Sequence, residues 1–269
     1  MSDTHSRTAL VTGASAGIGR AFAQQLAGRG YDLVLTARRR ERLEALARAL
    51  EADRGVRVEI VVADLAEPDA PRVLFDEIAR RGLRVDALVN NAGFGLPRPY
   101  RETRWEDQAA FLQVLVTAVA HLTHLCLPAM IERGQGHVIN VMSLAGLLPG
   151  APGSTLYAAA KSFGVKFSES LAAELLGTGV HATAVCPGFT YSEFHDVNGT
   201  RERVKKMPGY MWMDADEVAR QGLDAALRGE VLCVPGRLNS AIASVVKVLP
   251  GQLARGVLRR RARDFREID

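Results

Sequence analysis

The sequence predicts an α/β fold built on a doubly wound parallel sheet of about seven strands in a single domain, and two features predict it. Short apolar runs alternate with longer amphipathic stretches along most of the 269 residues, and strands separated by helices run parallel because each connection must cross a sheet face. A glycine-rich turn, residues 12–19, also sits between the first apolar run and the first amphipathic stretch. Right-handed crossovers then place a ligand site at the carboxyl ends of the strands.

Ala9-Leu10-Val11 carries the first strand, and a helical pattern follows from Ile18 to Arg29. Leu33-Val34-Leu35 is the second strand. In the helix expected over 39–52, Leu43, Leu46, Ala47 and Leu50 recur at i, i+3, i+4 and i+7 and make one apolar face. Further strands are expected at Val58 to Val62, Ala87 to Asn90, Val138 to Val141, Ala182 to Val185 and Val231 to Val234, with helices between them. The least regular stretch, about 189–213, contains Gly199, Pro208, Gly209 and an apolar cluster at Met207 and 210–213; a loop this long late in the sheet suits a substrate lid. Helical order resumes at Asp214, with Glu217 at capping-box spacing. A basic helical tail, about 238–269, closes the chain.

Hydrophobic residues make up 48% and charged residues 24%, which excludes disordered and fibrous classes. A net charge of +4 is too small to argue for nucleic acid, and none is expected as a partner. Cys126, Cys186 and Cys233 lack metal-ligand or paired spacing, so they read as core residues in a reducing compartment, with no metal site. The polar start, residues 1–7, offers no signal-peptide core, which makes the cytoplasm the expected location. No apolar run is expected to approach the roughly 18 residues that span a bilayer. In the tail, six arginines between 255 and 266 interleave with Val257, Leu258 and Phe265. Peripheral membrane contact is a less favoured reading of that pattern than a solvated helix end or a subunit contact.

In the glycine-rich turn, small residues let the backbone approach a pyrophosphate, while free N–H groups and the helix dipole favour its charge. The candidate contacts are Gly13, Ser15, Ala16, Gly17, Ile18 and Gly19. Tyr157 and Lys161 lie four residues apart, on one side of a helix. A free phenol titrates near pH 10 and is a poor acid or base unless a cation such as Lys161 stabilises its phenolate. Such a pair alone is common on exposed helices; here Asn140-Val141-Met142-Ser143 precedes it.

The T-G-x-x-x-G-x-G spacing, these two segments, Asp64-Leu65, Asn90-Asn91-Ala92-Gly93 and Pro187-Gly188 together resemble the classical short-chain dehydrogenase/reductase family over nearly the whole chain. The resemblance implies a Rossmann-type fold and an enzyme that interconverts a carbonyl and an alcohol by hydride transfer. Its catalytic residues would be Ser143, Tyr157 and Lys161. Its cofactor contacts would also include Asp64 and Leu65 at the adenine edge, Asn90, Ala92 and Gly93, Tyr157 and Lys161 themselves, then Pro187, Gly188 and Thr190 near the nicotinamide. Ser192 is a second hydroxyl in that region. Members often pair through helices corresponding to 111–130 and 157–176, which implies a homodimer or homotetramer.

NAD-specific enzymes place a carboxylate after the second strand to bind the ribose, and it would repel a 2′-phosphate. Here the strand ends Thr36-Ala37-Arg38-Arg39. Arg38 and Arg39 can pair with the phosphate, so NADP(H) is expected over NAD(H). One residue departs from the family. Leu115 stands where members usually carry an asparagine that helps hold the water serving the lysine. The relay is then expected to use Gln113 or backbone carbonyls, and a second reading arises, a catalytically impaired dinucleotide-binding sensor or scaffold. The expected substrate is a small, moderately hydrophobic carbonyl compound or alcohol.

Overall fold

The computed structural model describes residues 6–96, 98–150, 155–193 and 208–249. Its strands are β1 (Thr8–Thr12), β2 (Asp32–Thr36), β3 (Val58–Ile60), β4 (Ala87–Asn90), β5 (Gly136–Val141), β6 (Val180–Val185), β7 (Phe189–Tyr191), β8 (Trp212–Asp214) and β9 (Leu232–Cys233). Seven form one parallel sheet in the order β3-β2-β1-β4-β5-β6-β9. The order reverses at β1, the switch point at which sheets of this kind bind ligands beyond the carboxyl ends of their strands. The helices are α1 (Gly17–Ala27), α2 (Arg40–Arg54), α3 (Ala70–Arg80), α4 (Trp105–Leu112), α5 (Ala118–Glu132), α6 (Thr155–Glu174), α7 (Ala215–Leu227) and α8 (Arg237–Val248).

Side chains alternate across a strand, so a sheet covered on both faces needs apolar residues at consecutive positions. Ala9 and Val11 of β1 face one layer with Phe22, Leu26, Leu43, Leu46, Leu50 and Leu223. Leu10, between them, faces the other layer with Leu74, Ile78, Phe111, Leu115 and Leu122. Every residue of β1 is buried. This double covering is what the unbroken apolar runs in the sequence encode.

Four expectations are corrected. The helical stretch Trp105–Glu132 spans 28 residues and contains an 18-residue window of mean hydropathy 1.8, half of it buried; a long apolar run is therefore present. It is rich in apolar residues because it packs into the core through Phe111, Leu122, Cys126 and Met130. Secondly, the ends of the irregular 189–213 stretch are ordered: β7 and β8 pair in parallel, with Phe189, Thr190 and Tyr191 opposite Trp212, Met213 and Asp214. Trp212 lies against both Phe189 and Tyr191, at ring-centroid separations of 5.5 and 4.9 Å. Thirdly, no capping box forms at Asp214, which caps α7 without a side-chain bond. Glu217 instead accepts from Arg220 and Gln221. Lastly, the third and final sheet strands are shorter than expected, ending at Ile60 and Cys233. Residues 194–207 of the expected lid and the expected tail beyond 249 lie outside the described residues.

Candidate active site

The site begins at the end of β1. The Thr12 hydroxyl donates to the Val89 carbonyl and accepts from the backbone N–H groups of Asn91 and Ala92. The Asn91 amide donates to the carbonyls of Thr12 and Gly13 at 3.0 and 3.3 Å. Asn91 thus straps the glycine-rich turn to the end of β4. At Gly19 a methyl group would lie 2.3 Å from Asn91 Nδ2 and 2.4 Å from the Gly13 oxygen, well inside contact distance. Gly13 has a φ of +67°, a conformation that strains other residues. Ala16 caps α1 with no side-chain hydrogen bond, so the cap residue itself supplies no acceptor to the first-turn N–H groups, and small residues flank them. That cradle fits a pyrophosphate.

Asn90 is directed inward. Its amide donates to Thr123 Oγ1 and to Asn140 Oδ1, and Asn140 donates to Ser168. This wholly buried chain joins β4 and β5 to α5 and α6, and each of its four side chains is hydrogen-bonded, as burial demands. Gly93 is exposed and Ala92 half-buried beside the turn. Asp64 caps its own turn by accepting from the Ala66 N–H, while the Leu65 side chain lies in the core.

Beyond β5, Ser143 caps a short 3-10 turn by accepting from the Ala145 N–H at 3.1 Å. Its hydroxyl is also hydrogen-bonded to Tyr157. Burial raises the Tyr157 phenol above its usual range, and the Ser143 bond opposes the shift. Lys161 is buried and donates to the Val141 carbonyl at 2.8 Å, with Nζ 5.9 Å from the Tyr157 ring centre. Burial lowers its pKa to about 8. The expected lowering of the phenol by Lys161 is not expressed in this geometry, because the ammonium is directed at Val141. The serine, tyrosine and lysine do converge, and glycines let them: a methyl at Gly164 would lie 2.0 Å from Met142 Sδ, and one at Gly146 would lie 2.7 Å from the Lys161 carbonyl carbon.

The helix at the departing residue is bent into a π segment, Gln113–Thr117, joining α4 to α5. Such segments break the regular i→i−4 ladder and recur at functional sites. Leu115 is buried there, its branch 3.7 Å from where a Gly93 side chain would begin. Gln113 Nε2 is buried without a hydrogen-bond partner.

Pro187 and Gly188 follow β6. A side chain at Gly188 would meet Asn239 Oδ1 at 2.4 Å, and Asn239, buried on α8, donates to the Pro235 carbonyl. Thr190 turns inward and donates to the Gly188 carbonyl. Ser192 is the hydroxyl residue that reaches the turn, its Cβ 2.9 Å from where a Gly17 side chain would start. At the end of β2, Arg39 donates twice to Ser15 Oγ, from Nε at 3.3 Å and Nη2 at 3.0 Å. Arg38 is largely exposed, 3.8 Å from Asp64. Glu193 accepts from both Arg39 and Arg42, which holds its carboxyl below the usual range. Asn91, Glu193 and Asn239 were not singled out in the sequence; only Asn91 carries a signal there, inside its N-N-A-G segment.

Residues 7–203 match the family model described as short chain dehydrogenase. A sulfoacetaldehyde reductase of Chromohalobacter salexigens is 40% identical over 187 residues, which cover 69% of this chain and 73% of that protein. Among solved structures, a short-chain dehydrogenase from Sphingobium yanoikuyae in complex with NADPH is 31% identical with a TM-score of 0.79, covering 91% of this chain and 96% of that one. A short-chain dehydrogenase/reductase from Burkholderia phymatum in complex with NAD is 26% identical with a TM-score of 0.80, covering 96% and 97%.

Proposed function

The chain belongs to the short-chain dehydrogenase family, and from that premise we propose that it interconverts a carbonyl and an alcohol with NADP(H) in preference to NAD(H). The observation that carries this reading is the meeting of Ser143, Tyr157 and Lys161 just past the carboxyl end of β5, in the same parallel sheet whose β1 leads into the glycine-rich turn. A bound nicotinamide would supply or accept hydride at the substrate carbon. In reduction, Tyr157, kept protonated by its burial, gives its phenolic proton to the substrate oxygen as charge develops there. Ser143 steadies the same oxygen by a hydrogen bond. Lys161 keeps a positive charge one helical turn away; oxidation reverses the proton's path.

The cradle residues around Gly13, Gly17 and Gly19 would hold the pyrophosphate. Ser15 and Arg39, already paired, would hold the 2′-phosphate, with Arg38 alongside. The absence of an acid after Thr36 supports the phosphate, as does the NADPH bound to the relative from Sphingobium yanoikuyae. The NAD complex from Burkholderia phymatum makes cofactor choice a matter for this chain's own residues. Phe189, Tyr191 and Trp212 at the lid's base support a moderately hydrophobic substrate. Exposed Trp105, Ile131 and Phe163 on the long helices support pairing with a second copy. Leu115 favours a second reading, a dinucleotide-binding sensor with little turnover.

The test is oxidation of NADPH and of NADH against a panel of ketones and aldehydes. Turnover favouring NADPH, falling by about 10²–10⁴-fold in Tyr157→Phe, is the expected result. Activity retained by that variant would overturn the mechanism; tight cofactor binding without turnover would favour the sensor.

A further inference from the structure

Glu193 lies where the 189–213 segment leaves β7, and it occupies a guanidinium that the proposed function needs. Arg39 has five N–H donors. Two point at Ser15 Oγ and a third, on Nη1, meets Glu193 Oε2 at 2.9 Å. The other carboxylate oxygen accepts from Arg42 Nη1. The remaining arginines at the start of α2 face other acids, Arg38 towards Asp64 and Arg40 towards Glu44. Glu193 is thus the anion seated on the Arg39–Ser15 pair. Both of its bridges are about half exposed, and bridges of that kind contribute little to stability. They can be exchanged for a stronger anion, and a phosphate dianion pairs with a guanidinium more strongly than a single carboxylate does.

We propose that Glu193 is a specificity-determining residue that competes, from within the chain, with the cofactor's 2′-phosphate for Arg39. The inference rests on the NADP(H) reading of this site. A ligand with the phosphate must displace Glu193 from Arg39, leaving the root of the lid tied to Arg42 alone. A ligand without it leaves both ties in place. The acid that NAD-specific enzymes carry after their second strand is here delivered from a distant segment, in a form that can move aside.

The test is calorimetric titration of the full chain with 2′,5′-ADP and with 5′-AMP, which differ only in the phosphate at issue. In Glu193→Gln, binding of 2′,5′-ADP is expected to tighten by about tenfold, equivalent to about 1.4 kcal/mol, while 5′-AMP changes less than about twofold. Unchanged or weaker binding of 2′,5′-ADP overturns the proposal, and so does equal tightening of both ligands, which would report a general change of charge. If the wild type already favours 2′,5′-ADP and Glu193→Gln adds nothing, the competitor falls and the NADP(H) reading stands. If the wild type shows no preference and the variant gains one, the competitor stands and the native preference for NADP(H) falls.

Discussion

Lys161 holds an ammonium away from water, and the pKa drop from 10.5 to about 8 measures how strongly the fold resists that charge. The folded chain releases this proton before the unfolded chain does. Between about pH 8 and 10.5 the unfolded state therefore binds more protons, and stability from this group rises with pH. Lys161→Met is accordingly expected to raise the urea midpoint at pH 7, by about 1–3 kcal/mol in free energy, with the gain shrinking above pH 8 and turnover lost; a lower midpoint at pH 7 would contradict this. Gly19→Ala sets a methyl against Asn91 and the Gly13 carbonyl, and a loss of about 1–3 kcal/mol is expected in thermal or urea unfolding. That Tyr157 and Lys161 share one side of a helix was legible from their spacing, and Ser143 was singled out through the family resemblance of the segment that ends in it. Glu193 was not, since its partners Arg39 and Arg42 lie 154 and 151 residues away, and no local pattern records such a return.

The amphipathic face over 39–52 could be read directly, whereas the apolar length of Trp105–Glu132 and the two three-residue strands β7 and β8 were not. The pairing of β7 with β8 is set by three aromatic rings across a 20-residue connection. Asp214 and Glu217 misled for a related reason: the spacing suited a cap, but Arg220 and Gln221 lie within one turn and take the carboxylate. The buried polar chain through Asn90 and Asn140 joins two strands to two helices. Asn140→Leu, which removes one of the two acceptors of the Asn90 amide and the donor to Ser168 Oγ, is expected to lose about 1–3 kcal/mol, readable as a lower urea midpoint. In the π segment, Leu115→Asn buries an amide beside Gly93. We expect a lower melting temperature, because the new polar group is costly to bury, together with faster turnover if a side-chain acceptor was what the proton path lacked. Slower turnover would show that the segment serves without one.

The doubly wound sheet was legible as a whole because burial on both faces demands unbroken apolar runs, a pattern few other architectures produce. A saturating cofactor that binds only the folded chain should raise its stability by about 2.7 kcal/mol at a hundredfold excess over Kd. For a chain of this size that is roughly 5–10 °C in melting temperature, and a scan with NADPH in place of NADH at equal concentration should show the larger shift. No shift with either would count against the cradle. The pairing of β7 with β8 has a further consequence for how such a protein diversifies. Because the two strands are parallel, the polypeptide leaves β7 at Tyr191 and crosses back to begin β8 at Trp212, opposite Phe189. Whatever lies between is an exchangeable cassette. Doubling its length adds only about 0.6 kcal/mol of closure entropy, so recombination can swap one segment for another while Tyr157 and Lys161 stay where they are.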